Sequence, residues 1–257
     1  EYPVIYVDFK NAKENSYDEI IKQVKHAINK VYIRHIYLMN SFNRILADPK
    51  SDYLQKSEAE RFLYNFKKFY ENKAEKTTNS DVKNSLADLS EMLHYHFGKK
   101  VYILMDEYDA PINHIIQNEN LNNKDLKDIL MFFRGLMGIT FKGNEHLEKG
   151  FITGVFRIAK ASLFSDLNNL IEYNFYNNQF AKYYGFTQDD VTVLFDEYKI
   201  NQEDRLKAYD WYDGYRFSVD PNLKMYNPWS IVSFLNIKNI QNYWEESGNI
   251  DFIKKLF

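Results

Sequence analysis

Three short apolar runs punctuate a chain that is otherwise patterned for helices. YPVIYVDF, Tyr2 to Phe9, is rich in β-branched and aromatic residues and ends near Asp8. VYILMDEYDAPI, Val101 to Ile112, begins with five apolar or aromatic residues and then meets three acids, Asp106, Glu107 and Asp109. GFITGVF, Gly150 to Phe156, is the third run, with Thr153 and Gly154 near its end. All three read as buried strands. From about Tyr17 to Phe97 apolar residues recur every three or four positions, as in IIKQVKHAINKVYIRHIYLM and ERFLYNFKKFY, which is helical spacing. The polar stretch ENKAEKTTNS separates helices, Ser80 is placed to cap DVKNSLADLSEMLHYHF, and Gly98 ends that block. Asp109 is placed to cap a helix through Pro111 to Ile116, because proline is tolerated in a first turn. A further helix is predicted from about Lys124 to Gly138. From about Gly185 the pattern is mostly helical: Thr187 caps QDDVTVLFDEY, WYDGYRFS has turn chemistry, and Asn227-Pro228 opens another helix.

Uniformly apolar strands alternating with helices predict an α/β fold with a parallel sheet covered on both faces, followed by a helical module. In such sheets ligands sit at the carboxyl ends of strands, where Asp8, Asp106, Glu107 and Thr153 fall.

Composition narrows the function. Hydrophobic residues make up 45% and aromatics 17%, enough for a sizeable core and incompatible with disorder. A formal net charge of -3 gives no overall field toward nucleic acid or an anionic membrane. The absence of cysteine excludes disulfides, thiolate nucleophiles and Cys-based zinc sites, and fits a reducing compartment. No apolar run reaches the roughly 18 to 20 residues that span a bilayer, and the N-terminus has no signal-peptide pattern, so a cytoplasmic location without membrane is expected. The chain starts at Glu1 and stops at Phe257 inside the amphipathic IDFIKKLF, and so reads as an interior piece of something longer.

An apolar strand ending in Asp-Glu is the Walker B arrangement of P-loop ATPases. There the Asp binds magnesium, usually through water, and the Glu activates the water that attacks the γ-phosphate. By itself the pattern is equally that of a strand meeting solvent. The run KKVYILMDEYDAPI, followed by FITGVFRIAKASLFSDLNNL, YYGFTQDDV, WYDGYRF, YNPWSI and YWEESG, resembles the predicted AAA-ATPase-like family, whose members often carry a PD-(D/E)xK nuclease-like domain. The resemblance covers Tyr2 to Phe9 and Lys99 to Phe257. It implies a P-loop NTPase-like, mostly parallel sheet flanked by helices, with a core over 1–184, a helical insertion over about 16–98, and a C-terminal helical lid-like region over 185–257. It assigns Asp106 to magnesium and Glu107 to catalysis, makes Thr153 a polar sensor of the γ-phosphate, and offers Arg157 as a sensor or finger arginine. The aromatic motifs 211–217 and 226–231 belong to the lid. ATP and Mg are the implied cofactors. The implied partners are a nucleotide and, because such ATPases complete one another's sites, a homo-oligomer or another protein.

One departure divides the functional expectation. No GxxxxGK[ST] loop is present, and Gly98-Lys99 has neither the spacing nor the strand-loop-helix context. In the family that loop precedes the strand equivalent to YPVIYVDF. The chain is therefore either the core of an ATPase that works when joined to its P-loop, or an inactive P-loop-derived binding or structural module. A metal-dependent nuclease built on the DEYD acids fits less well, since no acid-x-Lys strand accompanies them. His94 and His96 are two apart on a helix and face differently, which opposes a zinc site. His114 and Arg134 read as helix-surface or ion-paired residues, and Asp8 as the end of its strand. The Trp211 to Phe217 aromatics read as core rather than base-stacking groups, so no nucleic acid binding is expected through this chain.

Overall fold

The computed structural model describes residues 1–70, 77–117, 123–155, 170–174, 177, 179–216 and 223–243. The chain forms two compact units, Glu1–Leu170 and Ile171–Phe257. The first contains β1 (Val4–Asp8), α1 (Tyr17–Arg34), α2 (Tyr37–Ala47), α3 (Tyr53–Tyr70), α4 (Asn79–Phe97), β2 (Val101–Asp106), α5 (Ala110–Gln117), α6 (Asn123–Phe141) and β3 (Leu147–Ile152). Its three strands are parallel in the order β1-β2-β3.

Local chemistry sets the element ends. Ser16 caps α1 by accepting from the Glu19 amide at 3.3 Å, and Asp18 and Glu19 face the positive end of the helix dipole while Arg34 faces the negative end. α4 is capped by Thr78, two residues before the expected Ser80. Thr78 with Asp81 completes a reciprocal capping box, whose two bonds outweigh the single one that Ser80 offers. The helix stops at Gly98, whose φ of 63° is the left-handed C-terminal cap.

The sheet and its helices share one core. Ile5, Val7 and Phe9 point to the same face as Val101, Ile103 and Met105, and all six are buried. α1 packs on β1 and α4 on β2, while α6 brings Phe133 edge-on to Phe9 at 5.3 Å between ring centroids. α2 and α3 pack on each other and on α1 and α4. At the end of α6 the edge of the Phe141 ring abuts Gly150, where a Cβ would sit 2.5 Å from a ring carbon, so β3 is glycine at that point for contact reasons.

The expectation of a sheet covered on both faces is not met within the described residues. Val4, Tyr6 and Phe151 on the other face are 43%, 37% and 54% exposed, with Tyr102 and Leu104 half-buried beside them. The order of the strands explains this. Both connections step in one direction across β1, β2 and β3, and crossovers of one hand then lay all their helices on one face.

The second unit contains a 3-10 turn at Ala181–Tyr183, then β4 (Phe186–Thr187), α7 (Gln188–Glu197), α8 (Gln202–Tyr212), β5 (Asp213–Arg216), β6 (Lys224–Tyr226) and α9 (Pro228–Ile237). Thr187 caps α7 in a box with Asp190, and Asn227 caps α9 with Pro228 in its first turn. Val191, Phe195, Tyr212, Tyr226 and Phe234 form its core. The small antiparallel sheet, ordered β4-β6-β5, was not predicted, because strands of two to four residues are too short to show alternation.

Candidate functional site

The parallel register places the acidic tip. Asp8 at the end of β1 lies opposite Asp106 at the end of β2, and Met105 lies opposite Ile152, so Thr153 emerges beside the same tip. The Thr153 amide donates to the Met105 carbonyl at 2.9 Å, and the Thr153 carbonyl accepts from the Tyr108 amide at 3.3 Å. Held this way, the Thr153 hydroxyl donates to Oδ1 of Asp106 in a close contact. The same oxygen accepts from the Glu107 amide at 3.0 Å, while Oδ2 accepts from the Tyr6 hydroxyl at 3.3 Å. Asp106 is therefore oriented from three directions. Its Oδ1 lone pairs are both engaged, and Oδ2 keeps one for a cation or a cation's water.

Glu107 turns the chain at this tip with a φ of 47°, the left-handed region, which costs a non-glycine residue about 1 to 2 kcal/mol. Such strain collects at functional sites. Its carbonyl accepts from the Ala110 amide at 3.1 Å, closing the turn into α5.

Asp109 has a larger task than the cap predicted for it. It is 1% exposed, immediately precedes α5, and its Oδ2 accepts from Asn113 Nδ2 at 2.8 Å and from the Val155 amide at 3.0 Å. The carboxylate thus ties the β2 tip to the segment that follows β3. Gly154 makes the tie possible, since a Cβ there would lie 2.6 Å from both Asp109 Oδ1 and the Tyr108 ring.

Tyr6 and Gly154 were not singled out from the sequence. Tyr6 lies two positions before Asp8 in a strand, and that spacing alone puts it on the Asp8 and Asp106 face. Its hydroxyl pKa is raised, by loss of hydration first, then by the negative charges of Asp8 and Asp106 and the bond donated to Asp106. Arg34 opposes the shift. Its guanidinium lies 5.4 Å from the Tyr6 ring centroid and Nη1 donates to the Tyr6 carbonyl at 3.1 Å.

Other candidates fall elsewhere. Arg157 lies outside the described residues. Arg134 is half-buried on α6 and is not among the partners of Asp106, and His114 is half-buried on α5. His94 pairs with His146, Nδ1 to Nδ1, at 2.9 Å, and His96 pairs with Ser41. Among the described residues no three His, Cys, Asp or Glu side chains are grouped to hold a metal ion. Magnesium does not need such a cage, since it keeps most of its waters and takes one or two carboxylates plus substrate phosphates. The Asp106 carboxylate, with Glu107 next to it, fits that mode.

The pattern of the family described as Predicted AAA-ATPase, AAA-ATPase_like, matches residues 1–164, which take in the strand tip and all three parallel strands. The chain belongs to the predicted AAA-ATPase-like family. Among curated proteins, an uncharacterized protein in the vnfD 5' region of Azotobacter chroococcum mcd 1 is 28% identical to this family member over 181 residues. That alignment covers 70% of this chain and 33% of the relative, so the chain spans about a third of the relative's length. No solved structure matches. Among the described residues of this AAA-ATPase-like chain no helix is long and apolar enough to cross a membrane.

Proposed function

We propose that the carboxyl end of the parallel sheet is the hydrolytic half of an ATPase site. The observation that carries this reading is the joining of Asp106 to Thr153 across β2 and β3, with Glu107 held in a strained turn directly after Asp106. Asp106 would hold magnesium through water. Glu107, carrying the free carboxylate of the pair, would orient and deprotonate the attacking water. Thr153 gives its one proton to Asp106, and in the sensor role the hydroxyl would turn to donate that proton to a γ-phosphate oxygen instead. When bound, magnesium neutralises charge that develops on the β- and γ-phosphates.

The phosphate cradle must come from another segment, because the 257 residues contain no GxxxxGK[ST]. Among the described residues no strand pairs with the outer edge of β3, and Val4, Tyr6 and Phe151 are exposed on one sheet face, which supports where that segment would add. A strand joining the β3 edge and leading into β1 steps across the sheet in the reverse direction. A right-handed connection then lays its helix over Val4, Tyr6 and Phe151. Such a strand would end beside Thr153, at the tip that Asp106 already occupies. A second subunit completing the site is part of the same proposal.

The alternative, an inactive binding or structural module of the same descent, is favoured by the missing loop alone. Calorimetry with Mg-ATP separates the two when this chain is compared with the same chain carrying its native flanking sequence. The ATPase reading expects binding near the millimolar range for the former and micromolar for the latter, a gain of about 4 kcal/mol. Equal, negligible binding by both would leave the inert module.

A further inference from the structure

A concave surface lies at the β1 edge of the sheet and shares Tyr6 and Asp8 with the acidic tip. It is a groove of about 170 Å³ between the end of β1 with its following turn and one face of α1. Phe9, Ala12 and Val31 give it a buried apolar floor. Along α1, His26, Lys30 and Arg34 line it at intervals of four residues. That spacing places successive side chains about 6 Å apart on one helical face. Across from them stand Tyr6, Asn11 and Asp8, the last being the groove's acid.

Among the described residues Lys30 and His26 have neither a hydrogen-bond nor an ion-pair partner. Arg34 uses Nη1 on the Tyr6 carbonyl and rests over the Tyr6 ring, and its other N–H donors remain for a ligand in the groove it lines. Asp8 keeps its charge, with its Oδ1 accepting from the Lys10 amide at 2.7 Å. Two permanent cations, an imidazole and a side-chain amide therefore face one lining acid, Asp8, with Asp106 one hydrogen bond away through Tyr6. A groove of this size and sign matches an oxyanion with several acceptor oxygens.

We propose that this groove binds a phosphate group, carried by inorganic phosphate or a small phosphomonoester, through Lys30, Arg34 and His26. The fork of Arg34 takes two oxygens, Lys30 supplies charge, and His26 and Asn11 donate from the two ends. Because Arg34 also holds Tyr6, which bonds Asp106, an occupant of the groove is linked to the acidic tip by two contacts.

The test is a titration of this chain with inorganic phosphate and, separately, with glycerol phosphate, followed by the His26 imidazole signals in NMR, at ionic strength held constant with sodium chloride. Expected is saturable binding with Kd on the order of 1 mM, weakened about tenfold or more by Lys30→Glu and tightened by Asp8→Asn. Tighter binding of glycerol phosphate would identify the phosphomonoester as the natural source, and tighter binding of phosphate the free ion. Circular dichroism confirms that both variants are folded. Shifts no larger than those produced by chloride, or equal affinity in Lys30→Glu, would overturn the proposal.

Discussion

Replacing Asp88 on α4 by Asn should stabilise the first unit at neutral pH. Burial chiefly, and then the charge of Glu91, push the Asp88 carboxyl up to about 6, while Lys68 and Arg61 pull it down less strongly. The group is charged at pH 7 in a place that disfavours charge. The gap between its ordinary 3.8 and about 6 corresponds to about 3 kcal/mol of destabilisation above both values. Asp88 retains contact with solvent, so we halve this to about 1.5 kcal/mol. The sign follows from the raised pKa: the penalty is complete above about pH 6 and disappears as pH falls from there toward 3.8. Urea unfolding at pH 7.5 should show Asp88→Asn more stable by about that amount, with the advantage nearly gone at pH 4. A variant that is less stable at pH 7.5, or equally favoured at both pH values, would refute this reasoning.

Four further outcomes follow from the same geometry. Burial first, and then the neighbouring Arg34, lower the His35 pKa from 6.5 to about 4, so stability is full above 6.5 and is lost as pH falls toward 4. His35→Gln should flatten that acid limb in a pH series of unfolding midpoints. Gly154→Ala should destabilise by about 1 to 3 kcal/mol, seen in thermal melts, because the new methyl meets the Asp109 carboxylate and the Tyr108 ring. Thr78→Ala should cost about 1 kcal/mol by removing half of the α4 capping box, whereas Ser80→Ala should be near neutral. Glu107→Gly should raise stability by about 0.5 kcal/mol or more while removing the proposed catalytic group, since glycine accepts the φ of 47° without strain.

Much of the fold was legible in the sequence because its strands are short, apolar and bounded. Val101 to Met105 announces β2, and the three- and four-residue spacing before it announces helices that now appear as α1 to α4. Capping residues with a partner three positions on, such as Thr187 with Asp190, were also readable. Thr78 was missed because Ser80 offers the same hydroxyl and only the pairing with Asp81 separates them. The bare sheet face was missed for a different reason. Val4, Leu104 and Phe151 are as apolar as the residues of the covered face, so composition does not show which side the helices take; connection handedness does. At the candidate site Asp106 and Glu107 stood out by chemistry. The roles of Tyr6, Asp109 and Gly154 depend on register between strands about a hundred and fifty residues apart in total span, which local pattern cannot carry.

The most direct measurement is Mg-dependent ATP hydrolysis by this chain together with its native flanking sequence, comparing wild type with Glu107→Gln and Asp106→Asn. Glu107→Gln should retain nucleotide binding and lose hydrolysis by about 10² or more, and Asp106→Asn should lose the magnesium dependence of binding. Hydrolysis that survives both substitutions, or wild-type protein that binds no nucleotide, would contradict the assignment of the β2 tip as a catalytic site.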